Sequence, residues 1–109
     1  HTVIAVTGKV DTISDGDRVV QVHNGNPLLP YITGTGCMTT ALIASYAAVA
    51  DPFTAALSGI LTMGIAGEIA GRNCGTVGPG TLRSVLADEI YNLTEERIYA
   101  YGKVVIINE

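Results

Sequence analysis

The chain has 109 residues, with 6 basic and 10 acidic side chains and a formal net charge of −4. This charge argues against a nucleic-acid-binding protein, which needs a basic surface to release phosphate counterions. Hydrophobic residues make up 48% of the chain and charged residues 15%, which is too apolar a composition for a disordered segment. We therefore expect one domain at most, with apolar surface that faces further protein.

Cys37 and Cys74 lie far apart, without the spacing of a zinc site or of a disulfide framework. We expect both to be free thiols, as in a reducing cytoplasm. The first residues lack the basic and apolar regions of a signal peptide, and the chain does not open with methionine. The sequence is thus expected to start inside a longer gene product.

The first quarter of the chain is predicted to form three strands. They are expected over residues 3–7, 10–14 and 18–23. The first is a continuous apolar run, which is typical of a strand buried on both faces in a parallel sheet. The other two flank Asp15-Gly16, a strong signal for a hairpin. Asn24-Gly25-Asn26-Pro27 then ends the hairpin, and an apolar stretch over residues 28–32 follows.

The remainder is predicted to be mainly helical. The first two helices are expected over residues 37–50 and 52–72. A third is expected to run from an N-cap at Thr81 to about Leu93, and a fourth to start at Thr94. A strand or apolar tail is expected over residues 104–107. The first helix begins within the glycine pair that precedes Cys37, and it is apolar on nearly all sides, which predicts that it is buried. Asp51 and Pro52 supply the N-cap and first residue of the second helix. This order indicates an α/β protein whose sheet needs further strands.

The second helix contains four glycines, each of which costs about 1 kcal/mol relative to alanine. They are Gly59, Gly64, Gly67 and Gly71. Close approach of another helix is the expected compensation. Residues 53–71 also approach the length of a bilayer span, but Glu68 inside the segment disfavours that alternative.

Gly34-Thr35-Gly36-Cys37 is the strongest candidate site. Its glycines allow successive amides to converge, and the helix N-terminus adds an effective charge of about +0.5. The segment therefore predicts an anion hole, which would stabilise a phosphoryl group during transfer. Its spacing matches neither a Walker A loop nor the dinucleotide-binding GxGxxG pattern. A purely structural turn is the alternative.

Cys37 falls in the first turn of the helix, where the helix dipole activates thiols. As a nucleophile it would need a base, and His23 is the only credible one in the chain. The alternatives are a small buried cysteine packed under the turn and a solvated surface histidine.

Taken together, six segments resemble, in order and spacing, the C-terminal part of the hydroxyethylthiazole kinase family. They are Thr7–Asp11, Asp15-Gly16, His23–Leu29, Ile32–Met38, Gly64–Ala70 and Gly78–Gly80. The resemblance covers residues 3 to about 93. It implies a ribokinase-like three-layer α/β sandwich, of which residues 1–109 form the C-terminal part of a single kinase domain.

The resemblance further implies an enzyme that uses ATP and Mg²⁺ to phosphorylate the hydroxyl of 4-methyl-5-(2-hydroxyethyl)thiazole in thiamine biosynthesis or salvage. It also implies a cytoplasmic homotrimer with active sites between subunits. The family residues that hold the metal and part of the substrate lie upstream of this chain. We therefore expect no metal ligand among these 109 residues and no activity from them alone.

By position, the resemblance implies that Thr7 contacts the phosphates of ATP and that the backbone of Gly34 contacts the thiazole. Residues Gly34, Thr35, Gly36 and Cys37 would form the anion hole. Cys37 stands where sugar kinases of this fold have an aspartate base, a replacement that a loose transition state tolerates. Lys9 departs from the glutamate common in the family, and the tail from Val104 does not follow the family pattern.

Two other functions compete with this interpretation. One is another ribokinase-like kinase acting on a pyrimidine or a sugar, which Cys37 in place of aspartate disfavours. The other is a non-catalytic helical packing or membrane module in which the glycine turn is incidental.

Overall fold

A computed structural model describes residues 2–108, so His1 and Glu109 lie outside the described part of the chain. The strands are β1 (Ile4–Val6), β2 (Asp11–Ser14), β3 (Val19–Val22) and β4 (Val104–Asn108). The helices are α1 (Thr35–Ala47), α2 (Pro52–Cys74), α3 (Pro79–Tyr91) and α4 (Glu95–Tyr101), and a 3₁₀ turn covers Leu29–Tyr31. The mixed α/β composition and most of the expected elements are confirmed.

The four strands form one antiparallel sheet in the order β1-β2-β3-β4. The predicted hairpin is β2–β3, in which Ile13 pairs with Val20. The segment from Val104 forms the fourth strand and pairs with β3. The expectation for the first strand is wrong within this chain, because β1 pairs antiparallel with β2 and all three of its residues are exposed. As the edge strand it has a strand neighbour on one side only, and no other element among residues 2–108 buries it.

The hairpin turn is held by the carboxylate of Asp15. This carboxylate accepts hydrogen bonds from the amides of Arg18 at 2.7 Å and Asp17 at 3.0 Å. These bonds, together with the Arg18 side chain, lower the pKa of Asp15 to about 2. The Arg18 guanidinium also lies 4.1 Å from the ring centroid of Phe53 at the start of α2. The hairpin is thereby attached to the central helix.

Helix α2 is the core of the molecule, with both of its faces covered. Its N-cap is Asp51 as predicted, since the Asp51 carboxylate accepts the amide of Thr54 at 2.9 Å, which lowers the pKa of Asp51. One face packs against the sheet at Ile13 and Val22. The opposite face packs against the flanking helices, with Leu82 of α3 fully buried.

The alternative interpretation of residues 53–71 as a membrane-spanning segment concerns helix α2. Among residues 2–108, α2 is the one helix that is long and apolar enough to cross a membrane. However, 78% of its most apolar 18-residue window is buried inside the protein. Its apolar character is therefore that of a core helix.

Two expectations about the other helices are wrong. Helix α1 contains no buried residue, because within this chain α2 covers only one of its sides. Helix α3 begins at Pro79 with Gly78 as its N-cap, and not at a Thr81 cap, since the fixed φ of proline suits the first helical position. The helix start expected at Thr94 is confirmed, and Thr94 is the N-cap of α4, because its hydroxyl accepts the amide of Arg97 at 3.2 Å.

The glycines of α2 mark the places where other backbone segments approach the helix. A Cβ on Gly59 would lie 2.8 Å from the backbone nitrogen of Ile43 in α1, which confirms a helix contact there. The other three glycines face residues 24–29, hereafter the connector, and not a helix. A Cβ on Gly64 would meet Asn24, and one on Gly67 would meet Leu29. The expected helix-to-helix approach is thus wrong for Gly64, Gly67 and Gly71.

We expect Gly64→Ala to lower the free energy of unfolding by about 1–3 kcal/mol, because the added Cβ lies 2.7 Å from the Cβ of Asn24 and 3.2 Å from its carbonyl carbon. Gly80→Ala is the matched control, since a Cβ on that helical glycine meets nothing within 4 Å. The control should lose no stability. Urea unfolding of the two variants measures the difference, and equal midpoints would contradict this account of the α2 glycines.

Candidate functional site

The connector leads from the sheet to the predicted anion-binding segment along the glycine face of α2. The Asn26 side chain donates a hydrogen bond to the carbonyl of Gly67 at 3.2 Å and accepts the amide of Leu28 at 2.8 Å. The hydroxyl of Thr35 then donates to the carbonyls of Leu29 at 3.2 Å and Ile32 at 3.3 Å. These bonds fix the start of α1 to the end of the connector.

Gly34 provides the sharp turn into α1. Its φ of 91° and ψ of 4° are in the left-handed region, which only glycine adopts without strain. The Gly34 carbonyl accepts the amide of Met38 at 2.9 Å, so Gly34 is the N-cap and the helix begins at Thr35. The expected helix start within the glycine pair is confirmed.

The first amides of α1 are available as hydrogen-bond donors. The Thr35 amide makes a long contact of 3.5 Å with the Ile32 carbonyl. Within residues 2–108, no protein acceptor receives the amides of Gly36 and Cys37, as is usual for the first turn of a helix. A Cβ on Gly36 would meet nothing within 4 Å, and Cys37 is exposed. An anion therefore has both donors and open space here.

Thr7 lies beyond the C-terminal end of β1 and is exposed. Strands β1 and β3 both run antiparallel to β2, so Thr7 and Asn24, which follow these two strands, lie at the same end of the sheet. The adjacent Gly8 amide donates to the Asp11 carboxylate at 2.9 Å. Burial raises the pKa of Asp11, and the hydrogen bond from Gly8 opposes this effect.

The structure does not pair Cys37 with His23. The His23 ring is exposed and lies 3.3 Å from the side-chain oxygen of Gln21, and the His23 amide donates to the Lys103 carbonyl at 2.9 Å. His23 is therefore a surface residue directly after β3, as the alternative interpretation held. Because Cys37 is exposed, the interpretation of this residue as a small buried cysteine is wrong within this chain.

Two clefts lie outside the predicted site. One, of about 550 Å³, lies beside the connector and is lined by the charged side chains of Glu68, Arg72 and Lys103. The other, of about 490 Å³, lies among the helices and has a mainly apolar lining that includes Leu42, Ile90 and Ile98. None of Thr7, Gly34, Thr35, Gly36 and Cys37 lines either cleft.

Sequence patterns alone did not single out Asn24 and Glu68 as a pair. The sequence indicates Asn24 only as a residue of a turn, and Glu68 only as a charged residue in an apolar helix. In the structure, Asn24 Nδ2 donates to Glu68 Oε1 at 2.5 Å. A carboxylate in an otherwise apolar helix is the signal that could have indicated a buried polar partner.

The described residues do not by themselves supply a full set of metal ligands. Within residues 2–108, no group of three His, Cys, Asp or Glu side chains lies close enough together to hold a metal ion. Mg²⁺ is usually held by one or two carboxylates together with waters and substrate phosphates, and the Asp11 carboxylate near Thr7 accepts the Gly8 amide through one of its two oxygens.

Comparison with known proteins identifies related sequences and folds. Residues 1–96 match the model of the hydroxyethylthiazole kinase family. A hydroxyethylthiazole kinase of Clostridium beijerinckii is 48% identical over 102 residues, which are 93% of this chain and 37% of that protein. One of Ruminiclostridium cellulolyticum is also 48% identical, over 98% of this chain and 38% of that protein.

The fold is similar to that of a solved relative. A hydroxyethylthiazole kinase structure from Pyrococcus horikoshii OT3 matches 98% of this chain with a TM-score of 0.92 and 42% sequence identity. The match covers 41% of the Pyrococcus chain. The present chain therefore spans about two fifths of the length of the relatives that it matches.

We expect Gly34→Ala to lower the free energy of unfolding by about 1–2 kcal/mol, because a Cβ is strained in the left-handed conformation. Gly36→Ala is the control, since Gly36 has no positive φ and a Cβ there meets nothing within 4 Å. Thermal unfolding of both variants distinguishes the two positions. If Gly34→Ala proves as stable as Gly36→Ala, the left-handed N-cap is not required.

Proposed function

The chain belongs to the hydroxyethylthiazole kinase family, and from this premise we propose that it supplies the phosphoryl-binding part of an ATP-dependent kinase for 4-methyl-5-(2-hydroxyethyl)thiazole. The observation that carries the proposal is the start of α1, where a left-handed Gly34 precedes two amides without protein acceptors. The family is named for kinase activity. A kinase stabilises the charge on the transferring phosphoryl group, and fixed backbone donors of this kind do so.

The amides of Gly36 and Cys37 donate hydrogen bonds to the non-bridging oxygens of the γ-phosphoryl group. The hydroxyl oxygen of the alcohol forms a bond to phosphorus as the bond from phosphorus to the β–γ bridging oxygen breaks. The products are ADP and the phosphate ester, and the hydroxyl proton is released. Backbone donors fixed before the reaction stabilise the charge on the phosphoryl oxygens without further reorganisation.

The remaining site residues bind the two substrates. The backbone of Gly34 contacts the thiazole. Thr35 stabilises the turn at Gly34 through the hydrogen bonds from its hydroxyl to the carbonyls of Leu29 and Ile32. Thr7 contacts the phosphates of ATP from the end of β1. Cys37 lies beside the reacting hydroxyl, where a loose transition state makes little demand on a base.

The complete site requires the rest of the fold. Since the chain spans about two fifths of its relatives, we infer that upstream residues complete the three-layer sandwich and hold Mg²⁺. The exposed apolar residues of β1 and β4, such as Ile4 at 59% and Ile106 at 59%, supply surface for that contact and for a homotrimer. The two free thiols suit a cytoplasmic enzyme.

Activity can be tested in a chimaera that joins the upstream part of the Clostridium beijerinckii relative to this chain. We expect ATP-dependent phosphorylation of the thiazole alcohol, measured by coupled ADP release and by mass spectrometry of the ester. A folded chimaera that phosphorylates only a pyrimidine alcohol or a sugar would favour the competing kinase function. One that phosphorylates no alcohol would contradict the proposal.

In the active chimaera, Gly36→Val should lower kcat by about 10²-fold or more, as expected for the loss of an oxyanion donor. The valine side chain occupies the open space in front of the helix start. Gly80→Val is the matched control, because Gly80 is likewise the second residue of a helix and has nothing within 4 Å of an added Cβ. Equal turnover by the two variants would remove the anion hole from the mechanism.

Cys37→Ala should lower kcat without abolishing it, because the backbone donors are unaffected. We expect a reduction below about 10²-fold, the lower end of the range for general-base catalysis. Steady-state kinetics of the folded variant provides the measurement. Complete loss of turnover would instead show that the thiol is an obligatory base or nucleophile.

A further inference from the structure

Glu68 is the only charged residue within the long apolar stretch of α2 between Pro52 and Gly71. Its side chain is only 11% exposed. An ionised carboxylate is costly to bury unless hydrogen-bond partners compensate for the lost water. The partners of Glu68 therefore indicate what the residue holds in place.

Both carboxylate oxygens of Glu68 have partners. Oε1 accepts the side-chain amide of Asn24 at 2.5 Å, and Oε2 pairs with the Lys103 ammonium at 2.7 Å. The Lys103 side chain is 57% exposed, so its ion pair contributes little. The bond to Asn24, which is 4% exposed, is the buried one.

Asn24 uses every polar atom of its side chain. Its Nδ2 also donates to the carbonyl of Tyr101 at 2.7 Å, and its Oδ1 accepts the amide of Lys103 at 2.7 Å. Gly64, one helical turn before Glu68, leaves the space into which Asn24 packs. The first residue of the connector is thus fixed against α2 and the α4–β4 junction at once.

We propose that Glu68 is a positioning residue for phosphoryl transfer. By holding Asn24 it fixes the start of the connector, and the connector sets the place of Gly34 and the direction of the Gly36 and Cys37 amides. This inference rests on the proposed function of those amides. The length of the Glu68 side chain matters, because it places an acceptor oxygen at the Asn24 amide. The negative charge does not matter for this bond, since a neutral acceptor oxygen at the same position would also form it.

Glu89 provides a matched control elsewhere in the fold. Its side chain is also 11% exposed, and it also binds one asparagine and one cation, Asn73 at 3.4 Å and Arg97 at 2.8 Å. These bonds join α2, α3 and α4 and do not touch the connector. Loss of a buried, paired carboxylate should therefore have a similar structural effect at both positions.

The test compares Glu68→Asp, Glu68→Gln and Glu89→Asp in the active chimaera. Aspartate shortens the reach to Asn24 but keeps the charge, whereas glutamine keeps the acceptor oxygen and loses the charge. We expect Glu68→Asp to lower kcat by about 10- to 100-fold through misplaced amides. The KM for ATP in Glu68→Asp, and the kcat of Glu68→Gln and of Glu89→Asp, should each change less than about threefold.

Hydrogen exchange supplies a readout that is independent of activity. In Glu68→Asp, peptides covering residues 24–37 should exchange faster, whereas those covering α3 should not. Asn24→Ser, whose shorter side chain does not reach Glu68, should reproduce both effects. This second variant keeps the test decisive if Glu68→Asp does not fold.

Three results would overturn the inference. The first is an unchanged kcat in both Glu68→Asp and Asn24→Ser. The second is a kcat for Glu89→Asp that falls as far as that of Glu68→Asp. The third is a kcat for Glu68→Gln that falls as far as that of Glu68→Asp, which would assign the effect to the charge. The proposed function fails separately, because that failure appears as a folded but inactive chimaera before any substitution at Glu68.

Discussion

The contact between the connector and the glycine face of α2 is the constraint on which the rest of the site depends. Gly64, Gly67 and Gly71 have no side chains to hold the two segments apart, so residues 24–29 lie close against the helix. Two asparagines of the connector donate hydrogen bonds to α2, Asn24 to the Glu68 carboxylate and Asn26 to the carbonyl of Gly67. These bonds compensate the buried polar groups for the water that they lose at the contact. The central helix thereby serves both as the core of the fold and as the support for the turn at Gly34.

The chemistry assigned to this turn comes from backbone geometry. A left-handed Gly34 follows the connector and the 3₁₀ turn, and the helix that begins after it presents its first amides to open space. No charged side chain of the segment is required, because backbone donors at a helix start already favour a transferring phosphoryl group. In the proposed mechanism, position 37 therefore does not require the aspartate base that the resemblance implies for sugar kinases of this fold. The same dependence on backbone makes the site sensitive to small shifts of the connector, and hence to Glu68.

Elements with local signals could be predicted from the sequence. Asp15-Gly16 specifies the hairpin, Asp51-Pro52 specifies the start of α2, and Gly34 specifies the start of α1, because turn and capping chemistry lies within a few residues. Burial depends on what packs from elsewhere, so the exposure of β1 and α1 could not be read from their apolar composition. The roles of Gly64, Gly67 and Gly71 also depend on a distant segment. For the site, sequence patterns selected the residues, but the Asn24–Glu68 bond between residues 44 positions apart required the structure.

The most direct test of the central claim is a crystal structure of the active chimaera with a non-hydrolysable ATP analogue and the thiazole alcohol. The account predicts γ-phosphoryl oxygens at hydrogen-bond distance, about 2.9 Å, from the amide nitrogens of Gly36 and Cys37, with the Asn24–Glu68 bond intact. It would be contradicted if upstream residues accept those two amides while the γ-phosphoryl group lies elsewhere.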